Sequence, residues 1–265
     1  MQVAGAGVSP ARVHSRRTLA AYGQLALPMA IADLPLSIYL TAFYAELGVS
    51  IAAMGWILLA TRLCDVVIDP MIGIFSDRSA SWPLGRRKSW LLLGVPVKML
   101  AVYMIFFAAP GVSAGYMLLW LFLLYLGWTM IQIPYGAWGA ELSGDYHERN
   151  RITGWRTLFS FVGILVATLA PVITGGGGGT PQGLTPVMQG LGLWAVVMFP
   201  VSALLIARFV PDEPPRRSGE GAGSWAKAFR VALSNGPFIR ILLATAIGRI
   251  GAVVNTTVVI WFFVF

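Results

Sequence analysis

Apolar residues form seven long runs along the chain, and short polar segments separate these runs. The runs cover residues 20–46, 51–76, 89–109, 114–140, 154–174, 187–210 and 238–265. Each run reaches or exceeds the ~20 residues that a helix needs to cross a bilayer. None shows the alternation of a barrel strand, and backbone polar groups need partners inside the hydrocarbon. We therefore expect every run to be a membrane-spanning helix.

The composition supports this interpretation. Of the 265 residues, 57% are hydrophobic and 11% are charged, and the mean hydropathy is +0.74. These values lie outside the range of soluble globular domains and are typical of a multi-pass membrane protein. We therefore expect a protein of the cell (inner) membrane that has the lipid bilayer as a partner.

The positive charges mark one side of the membrane. The net charge is +8, and Lys and Arg lie before the first run and after the second, fourth and sixth. The segments after the first, third and fifth runs contain neither residue. This alternation follows the positive-inside rule and predicts a cytoplasmic N-terminus with an odd number of crossings. The basic excess reports topology, so we expect no nucleic-acid partner.

The segment at 211–237 differs from the other loops because it is longer and begins with PDEPPRRSGEGAGS. Such a polar, Pro- and Gly-rich stretch is typical of a linker between helical bundles. We predict a cytoplasmic segment at 1–19, a six-helix bundle at 20–210, a cytoplasmic linker at 211–237 and the first helix of a second, incomplete bundle at 238–265. Since WFFVF ends at Phe265 with no polar residue after it, we expect a fragment or a truncated product.

Three charges interrupt the second run. Arg62, Asp65 and Asp69 fall within an arc of roughly 60° on a helix, and each costs roughly 2.5–3.5 kcal/mol near the middle of a membrane. Pro70 lacks an N–H, so we expect it to break the helix and free the carbonyl oxygen of Val66. The three side chains sum to −1, and one monovalent cation would neutralise them. The alternative is an ion-pair network that only holds helices together.

Three segments carry a resemblance to a known family. They are DVVIDPMIGIFSDRSASWPLGRRKSW at 65–90, IQIPYGAWGAELSGDYHERNRITGWR at 131–156 and YGQLALPMAIADLPLSIYLTAFYAELGVS at 22–50. They resemble the second helix, the fourth helix with its following loop, and the first helix of the melibiose permease family. That family comprises the glycoside–pentoside–hexuronide:cation symporters of the major facilitator superfamily. The resemblance implies an all-α fold with an N-terminal six-helix bundle.

The resemblance also assigns residues. Asp65 and Asp69 match the cation-binding carboxylates, which makes them the metal ligands if the cation is Na⁺ rather than H⁺. Thr129 matches a helix-4 hydroxyl that helps to hold the cation, and Arg62 matches a basic charge partner one turn before the carboxylates. Arg156 matches a fifth-helix arginine near the sugar. Gln132 stands where family sugar transporters carry an aspartate, and the helix-1 acid is displaced by about one turn, as Asp33. We expect Asp33, Gln132 and Arg156 to bind substrate.

Charged residues at the cytoplasmic ends form a further candidate group. The resemblance implies that ion pairs between them close an inner gate: Asp77, Arg78, Arg86, Arg87, Glu141, Asp145 and Arg149. The alternative is a set of loosely paired charges that only set topology. Lys98, in the third run, either finds a partner inside the bundle or extends towards the membrane surface. We expect His14 and His147 to be exposed to solvent.

The function that the resemblance implies is secondary active transport. A sugar or similar small polar solute would move with Na⁺ or H⁺ by alternating access, without a cofactor, in a protein that is monomeric at full length. The alternatives are a carrier of lysolipids or other amphiphiles and a truncated protein that does not transport. We expect no enzyme, because no nucleophile–base or metal-ligand spacing occurs and Cys64 is the only cysteine.

Overall fold

The computed structural model describes residues 13–78, 85–173 and 184–211, and in addition 234–237, 239–241, 243–245 and 247–248. In the first three ranges the regular structure consists of eight α-helices. They are α1 (Arg16–Gly23), α2 (Ala26–Ile38), α3 (Leu40–Glu46), α4 (Ile51–Arg78), α5 (Arg86–Phe106), α6 (Ala114–Glu141), α7 (Tyr146–Ile173) and α8 (Thr185–Phe209).

Six helical segments in the described residues are long and apolar enough to cross a membrane. They are Arg16–Ile38, Ile51–Asp77, Arg86–Phe106, Ala114–Glu141, Tyr146–Ile173 and Thr185–Phe209. These segments coincide with the first six apolar runs, so the predicted all-helical bundle is confirmed. Most of the seventh run, 238–265, lies outside the described residues.

The chain divides into two compact units, Met1–Pro215 and Arg216–Phe265. This division falls within the linker that the sequence predicts at 211–237. Most of that linker lies outside the described residues, and the boundaries assigned to it therefore stay a prediction. In the second unit the described residues are largely helical, and the Ile239 N–H donates to the Asn235 carbonyl at 3.0 Å.

The first run forms three helices rather than the single one expected. The first interruption follows from Pro28, which has no N–H to offer the carbonyl of Gln24. The Leu27 N–H binds that carbonyl instead, at 3.1 Å, in a tighter turn between α1 and α2. Pro70 has the opposite outcome: α4 continues through it from Ile51 to Arg78. The predicted break at Pro70 is therefore wrong, because the rest of the helix tolerates the loss of one hydrogen bond.

A buried aromatic cluster joins α1 to α6. The rings of Tyr22 and Tyr135 lie 4.5 Å apart between centroids, and Trp138 meets Tyr22 edge-on at 6.1 Å. The Tyr22 hydroxyl donates to the Tyr135 carbonyl at 2.7 Å, and the Tyr135 hydroxyl donates to the Tyr22 carbonyl at 2.8 Å. These reciprocal hydrogen bonds fix the two helices against each other at one wall of the cavity described below.

Candidate functional site

A cavity of about 800 Å³ lies between α2, α4, α6 and α7. This volume is within the range of small-molecule sites in proteins. Asp33, Gln132 and Arg156, the predicted substrate residues, all line it, although they come from three different helices. Its remaining polar and aromatic lining residues are Ser37, Arg62, Tyr125, Trp128, Tyr135, Thr153, Thr157, Ser160 and Phe161. The cavity therefore combines charged, hydrogen-bonding and aromatic groups.

Asp33 is paired with a buried lysine. Lys98 Nζ donates to Asp33 Oδ1 at 2.6 Å, and the Trp128 indole N–H donates to Asp33 Oδ2 at 3.0 Å. The Lys98 side chain is 0% exposed and that of Asp33 is 37% exposed. Of the two possibilities for Lys98, the structure therefore selects a partner inside the bundle. The sequence signal was its charge within an apolar run, but nothing in the sequence identified Asp33 as the partner.

Lys98 reaches Asp33 because α5 and α6 lie unusually close together. A Cβ atom on Gly127 would lie 2.7 Å from the backbone nitrogen of Lys98, which is closer than packed atoms come. Only glycine leaves room for this approach. The backbone of Lys98 is thereby held against α6, and its side chain extends to α2 at a defined position.

Arg156 lies on the α7 side of the cavity. Its guanidinium carbon is 4.7 Å from the ring centroid of Tyr135, a cation–π contact. The neighbouring turn of α7 is pressed onto α1, since a Cβ on Gly23 would lie 2.8 Å from the carbonyl carbon of Trp155. Among the described residues, no carboxylate lies within ion-pair distance of Arg156.

The predicted cation residues form two hydrogen-bonded pairs along α4. Arg62, the predicted charge partner, donates to Asp65 Oδ2 at 3.3 Å. The Thr129 hydroxyl donates to Asp69 Oδ1 at 2.7 Å, so α6 supplies the expected hydroxyl. Both aspartates are half-buried, and neither lines the cavity. Carboxylate and hydroxyl oxygens are hard ligands that suit Na⁺ or a proton.

Arg62 connects these carboxylates to the cavity. It lines the cavity, and its guanidinium also donates to the Tyr125 hydroxyl at 3.1 Å and lies 4.3 Å from that ring centroid. The described residues contain no group of three or more His, Cys, Asp or Glu side chains that could hold a metal ion. Any cation held on α4 would therefore have Asp65 and Asp69 as its carboxylate ligands, without a third acidic side chain among the described residues.

The predicted gate residues separate into two groups. Arg87 contacts Asp77 at 2.7 Å and Glu141 at 2.8 Å, and Arg86 contacts the same two carboxylates at 3.7 and 2.7 Å. We call these four residues the inner cluster. Arg87 is buried and also donates to the Ser76 hydroxyl at 3.1 Å, so the cluster joins the ends of α4, α5 and α6. Arg78 ends α4, and its side chain lies outside the described part.

Asp145 lies in the turn between α6 and α7 instead, and Arg149 lies in the first turn of α7. Asp145 Oδ2 accepts from the Glu148 N–H at 2.9 Å, and Arg149 donates to the Ser143 carbonyl at 2.8 Å. His14 joins this turn: its N–H donates to Glu148 Oε1 at 2.9 Å, and its Nε2 lies 2.8 Å from the Leu142 carbonyl oxygen. The prediction of an exposed His14 is therefore wrong, whereas His147 is exposed as predicted.

Comparison with known proteins adds independent information. Residues 21–265 match a family described as MFS/sugar transport protein. The inner membrane symporter YicJ of Escherichia coli (strain K12) is 28% identical over 172 residues, which are 61% of this chain and 36% of the relative. The isoprimeverose transporter of Lactiplantibacillus pentosus is 25% identical over 241 residues, 86% of this chain and 48% of the relative.

A third relative has a different kind of name. The sodium-dependent lysophosphatidylcholine symporter 1 of Xenopus tropicalis is 28% identical over 116 residues, which are 42% of this chain and 22% of that protein. The chain thus spans about half or less of the length of the curated relatives that it matches.

Proposed function

Because the chain belongs to the MFS/sugar transport protein family, we propose that it supplies the coupling helix and one wall of the solute site in a cation-coupled symporter. The solute is a sugar or a similar small polar molecule, and the coupling ion is Na⁺ or H⁺. Relatives named symporters and an isoprimeverose transporter support this proposal. The chain is a multi-pass membrane protein that acts in the bilayer, with no enzymatic activity, and the full-length transporter is a monomer.

The observation that carries the proposal is the position of Arg62. This residue lines the same cavity as Asp33, Gln132 and Arg156, and it is also paired with Asp65 on α4. Solute groups in the cavity and a cation near Asp65 would therefore act on one shared side chain. Such a shared group is a physical route by which the two binding events become coupled.

The charges of α4 suggest how a cation permits movement. Arg62, Asp65 and Asp69 sum to −1, and a bound Na⁺ or H⁺ brings this group to zero. A charge without compensation is costly within a membrane. Cation binding would therefore lower the cost of moving α4 during alternating access, in which two bundles rock about a site near the midplane. The inner cluster of Asp77, Arg86, Arg87 and Glu141 is the proposed interior gate.

A lysolipid or related amphiphile is the second candidate solute. The relative from Xenopus tropicalis named as a lysophosphatidylcholine symporter favours it. Apolar residues at the cavity wall, among them Leu34, Phe161 and Ile164, are compatible with an acyl chain. A binding experiment with this protein therefore has to include both sugars and lysolipids.

The test is cation-stimulated binding with Asp69→Asn. We would measure binding of labelled sugars and lysolipids to the 265-residue chain in nanodiscs, with and without Na⁺ and across pH. Binding is the appropriate measurement because the chain spans about half or less of its relatives' length. We expect the cation to raise the affinity by about tenfold or more, which corresponds to ~1.4 kcal/mol. Asp69→Asn should abolish the increase, because the amide carries no charge to attract a cation.

A matched control is Asp145→Asn, which makes the same chemical change in the turn between α6 and α7. It should keep the full cation effect. Cation stimulation that survives in Asp69→Asn would contradict the assigned role of Asp69. The absence of any cation effect on any solute in the native chain would contradict the proposed function itself.

A further inference from the structure

Lys98 has few partners for an ammonium group inside a helical bundle. Its side chain is 0% exposed, and its Nζ donates to Asp33 Oδ1 at 2.6 Å. An ammonium group has three N–H donors, and within the described part of the chain no other group accepts a hydrogen bond from this one. Burial of a charged group with unsatisfied donors is costly. The neutral amine has one donor fewer and no charge to bury.

Asp33 connects Lys98 to the cavity. Its side chain is 37% exposed and lines the cavity, whereas Lys98 does not. The second carboxylate oxygen, Oδ2, accepts from the Trp128 indole N–H at 3.0 Å. An indole N–H is a donor only, so this hydrogen bond does not depend on the protonation state of Lys98. The acceptor next to Nζ is thus a carboxylate that is held in place and faces the cavity.

The charges around the pair favour an ionised Asp33. The other titratable or charged side chains that line the cavity come from α4, α6 and α7: Arg62, Tyr125, Tyr135 and Arg156. Asp65 and Asp69 do not line it and have partners of their own. The charged residues of α3 and α8, which also pack on α2 or α5, are Glu46 and Arg208, in the last turns of those helices. Two arginines therefore share the cavity with the carboxylate of Asp33.

Of the two possible changes in protonation, one suits this geometry. A proton added to Asp33 would leave a fully buried ammonium group without an anion, which is severely unfavourable. A proton removed from Lys98 would leave the charge on Asp33, which is partly exposed and keeps the hydrogen bond from Trp128. The pair would then change between a net charge of zero and −1, and the proton that exchanges resides on Nζ.

From this geometry we propose that Lys98 is a proton-binding site, separate from Asp65 and Asp69, and that Asp33 passes the proton between Nζ and the cavity. In loading, a hydronium ion gives a proton to Asp33 Oδ1 and leaves as water. The new O–H bond then breaks as the proton crosses the 2.6 Å hydrogen bond to the lone pair of Nζ. This transfer forms the third N–H bond of the ammonium group and restores the carboxylate. Release follows the reverse order.

The use of this proton in coupling rests on the proposed function. When the cavity closes around a solute, Asp33 loses its contact with solvent, and an uncompensated carboxylate is then costly. The protonated pair has no net charge, so it favours closure. One proton changes this pair from −1 to zero, as one cation does for the charges of α4. We therefore expect the proton on Lys98 to raise solute affinity while Na⁺ occupies the site at Asp65 and Asp69.

Nitrogen-15 NMR tests the proton site without any solute. The chain contains three lysines, Lys88, Lys98 and Lys227, so the double variant Lys88→Arg/Lys227→Arg leaves Lys98 as the single lysine signal. With labelled lysine in the 265-residue chain in nanodiscs, we expect the Nζ signal of Lys98 to change between the ammonium and the amine forms with pH while the protein stays folded. One protonation state at every pH would overturn the proposal.

Lys88 is the internal reference in the native chain. It lies on the same helix, and its Nζ donates to the Ala207 carbonyl at 3.2 Å rather than to a carboxylate. Since Lys98 exchanges its proton through Asp33, the two lysines should change at different pH values. A common transition would indicate the ordinary titration of a lysine side chain and would overturn the proposal.

Solute binding at saturating Na⁺ tests the role in coupling. Saturating Na⁺ keeps the charges of α4 compensated, so any remaining pH dependence reports a different site. With labelled sugars and lysolipids, we expect the affinity of at least one solute to fall by about tenfold or more as Lys98 loses its proton. The midpoint should equal that of the NMR signal. An affinity that does not follow the Lys98 transition for any solute that binds would overturn the role in coupling.

Two substitutions of Lys98 fix the two charge states. Lys98→Met leaves Asp33 uncompensated and should show the low affinity without the transition. Lys98→Arg keeps its charge at every pH and should show the high affinity, also without the transition. The double variant Lys88→Arg/Lys227→Arg is the matched control and should keep the transition. A transition that persists in both Lys98 variants would overturn the proposal, and the NMR measurement decides on the site if either variant fails to fold.

The two proposals can fail separately. If Na⁺ raises solute affinity and Asp69→Asn abolishes this effect, but Lys98 keeps one protonation state, the proposed function stands and this inference fails. If no cation raises the affinity for any solute, the proposed function fails and with it the role of Lys98 in coupling. The NMR signal then still decides whether Lys98 binds a proton.

Discussion

At the scale of single residues, the pairing of Lys98 with Asp33 shows how an apolar helix accommodates a charge. The two residues are separated by 65 positions in the chain and lie on different helices, yet Lys98 Nζ and Asp33 Oδ1 are 2.6 Å apart. A fully buried ammonium group loses its hydration and needs a close anion in return. The pair therefore contributes less to net stability than its short distance suggests, but loss of one partner is severe.

A double-mutant cycle tests this description. Asp33→Leu leaves the buried Lys98 without its anion and should lower the free energy of unfolding by about 3–5 kcal/mol, the typical cost of breaking a buried pair. Adding Lys98→Met should recover most of this loss, because both charges are then absent. Thermal unfolding in detergent micelles of the two single variants and the double variant measures the effect. Strictly additive losses would contradict a direct pair.

At the scale of secondary structure elements, the contact between α5 and α6 determines where Lys98 lies. Gly127 allows the two backbones to approach until a Cβ would be 2.7 Å from the Lys98 nitrogen. Small residues at helix interfaces have this role in membranes, where packing rather than the hydrophobic effect drives helix association. The element contact and the ion pair are therefore linked: a shift of α5 moves Lys98 away from Asp33.

Gly127→Ala should destabilise the bundle by about 1–3 kcal/mol, as overpacking in a close-packed core does. Gly136→Ala makes the same change in the same helix, at a position where a Cβ would meet nothing within 4 Å. This control should be neutral or stabilising by up to about 1 kcal/mol, since alanine favours a helix over glycine. Unfolding of both variants, measured side by side, checks the prediction; similar results for the two would refute the close contact.

The sequence was sufficient for properties that depend on local spacing. Apolar run length predicts the six described spans, and the three-residue separation of Arg62 and Asp65 places them on one helix face. Contacts between different helices depend on tertiary packing, which cannot be read from the spacing of residues in a single sequence. The Asp33–Lys98 pair and the hydrogen bond from His14 to Glu148 are two such contacts. Pro70 misled the prediction because a proline removes one hydrogen bond, and a long helix can continue past it.

At the scale of the whole molecule, charge and structure agree on which ends of the helices lie together. The inner cluster joins α4, α5 and α6 at the ends that carry Asp77, Arg87 and Glu141, and the turn with Asp145 follows α6 at the same end. The turn between α5 and α6, at 107–113, contains no Lys or Arg. The positive-inside rule assigns the first group to the cytoplasm and this turn to the exterior.

Single-cysteine labelling tests this orientation. Cys64 is the only cysteine, so Cys64→Ser provides a background without thiols. Ala109→Cys and His147→Cys then each add one thiol at an exposed position, in the turn after α5 and in the first turn of α7 respectively. A membrane-impermeant maleimide should label Ala109→Cys in right-side-out vesicles and His147→Cys in inside-out vesicles. The reverse pattern would invert the bundle, and with it the assignment of the inner cluster to a cytoplasmic gate.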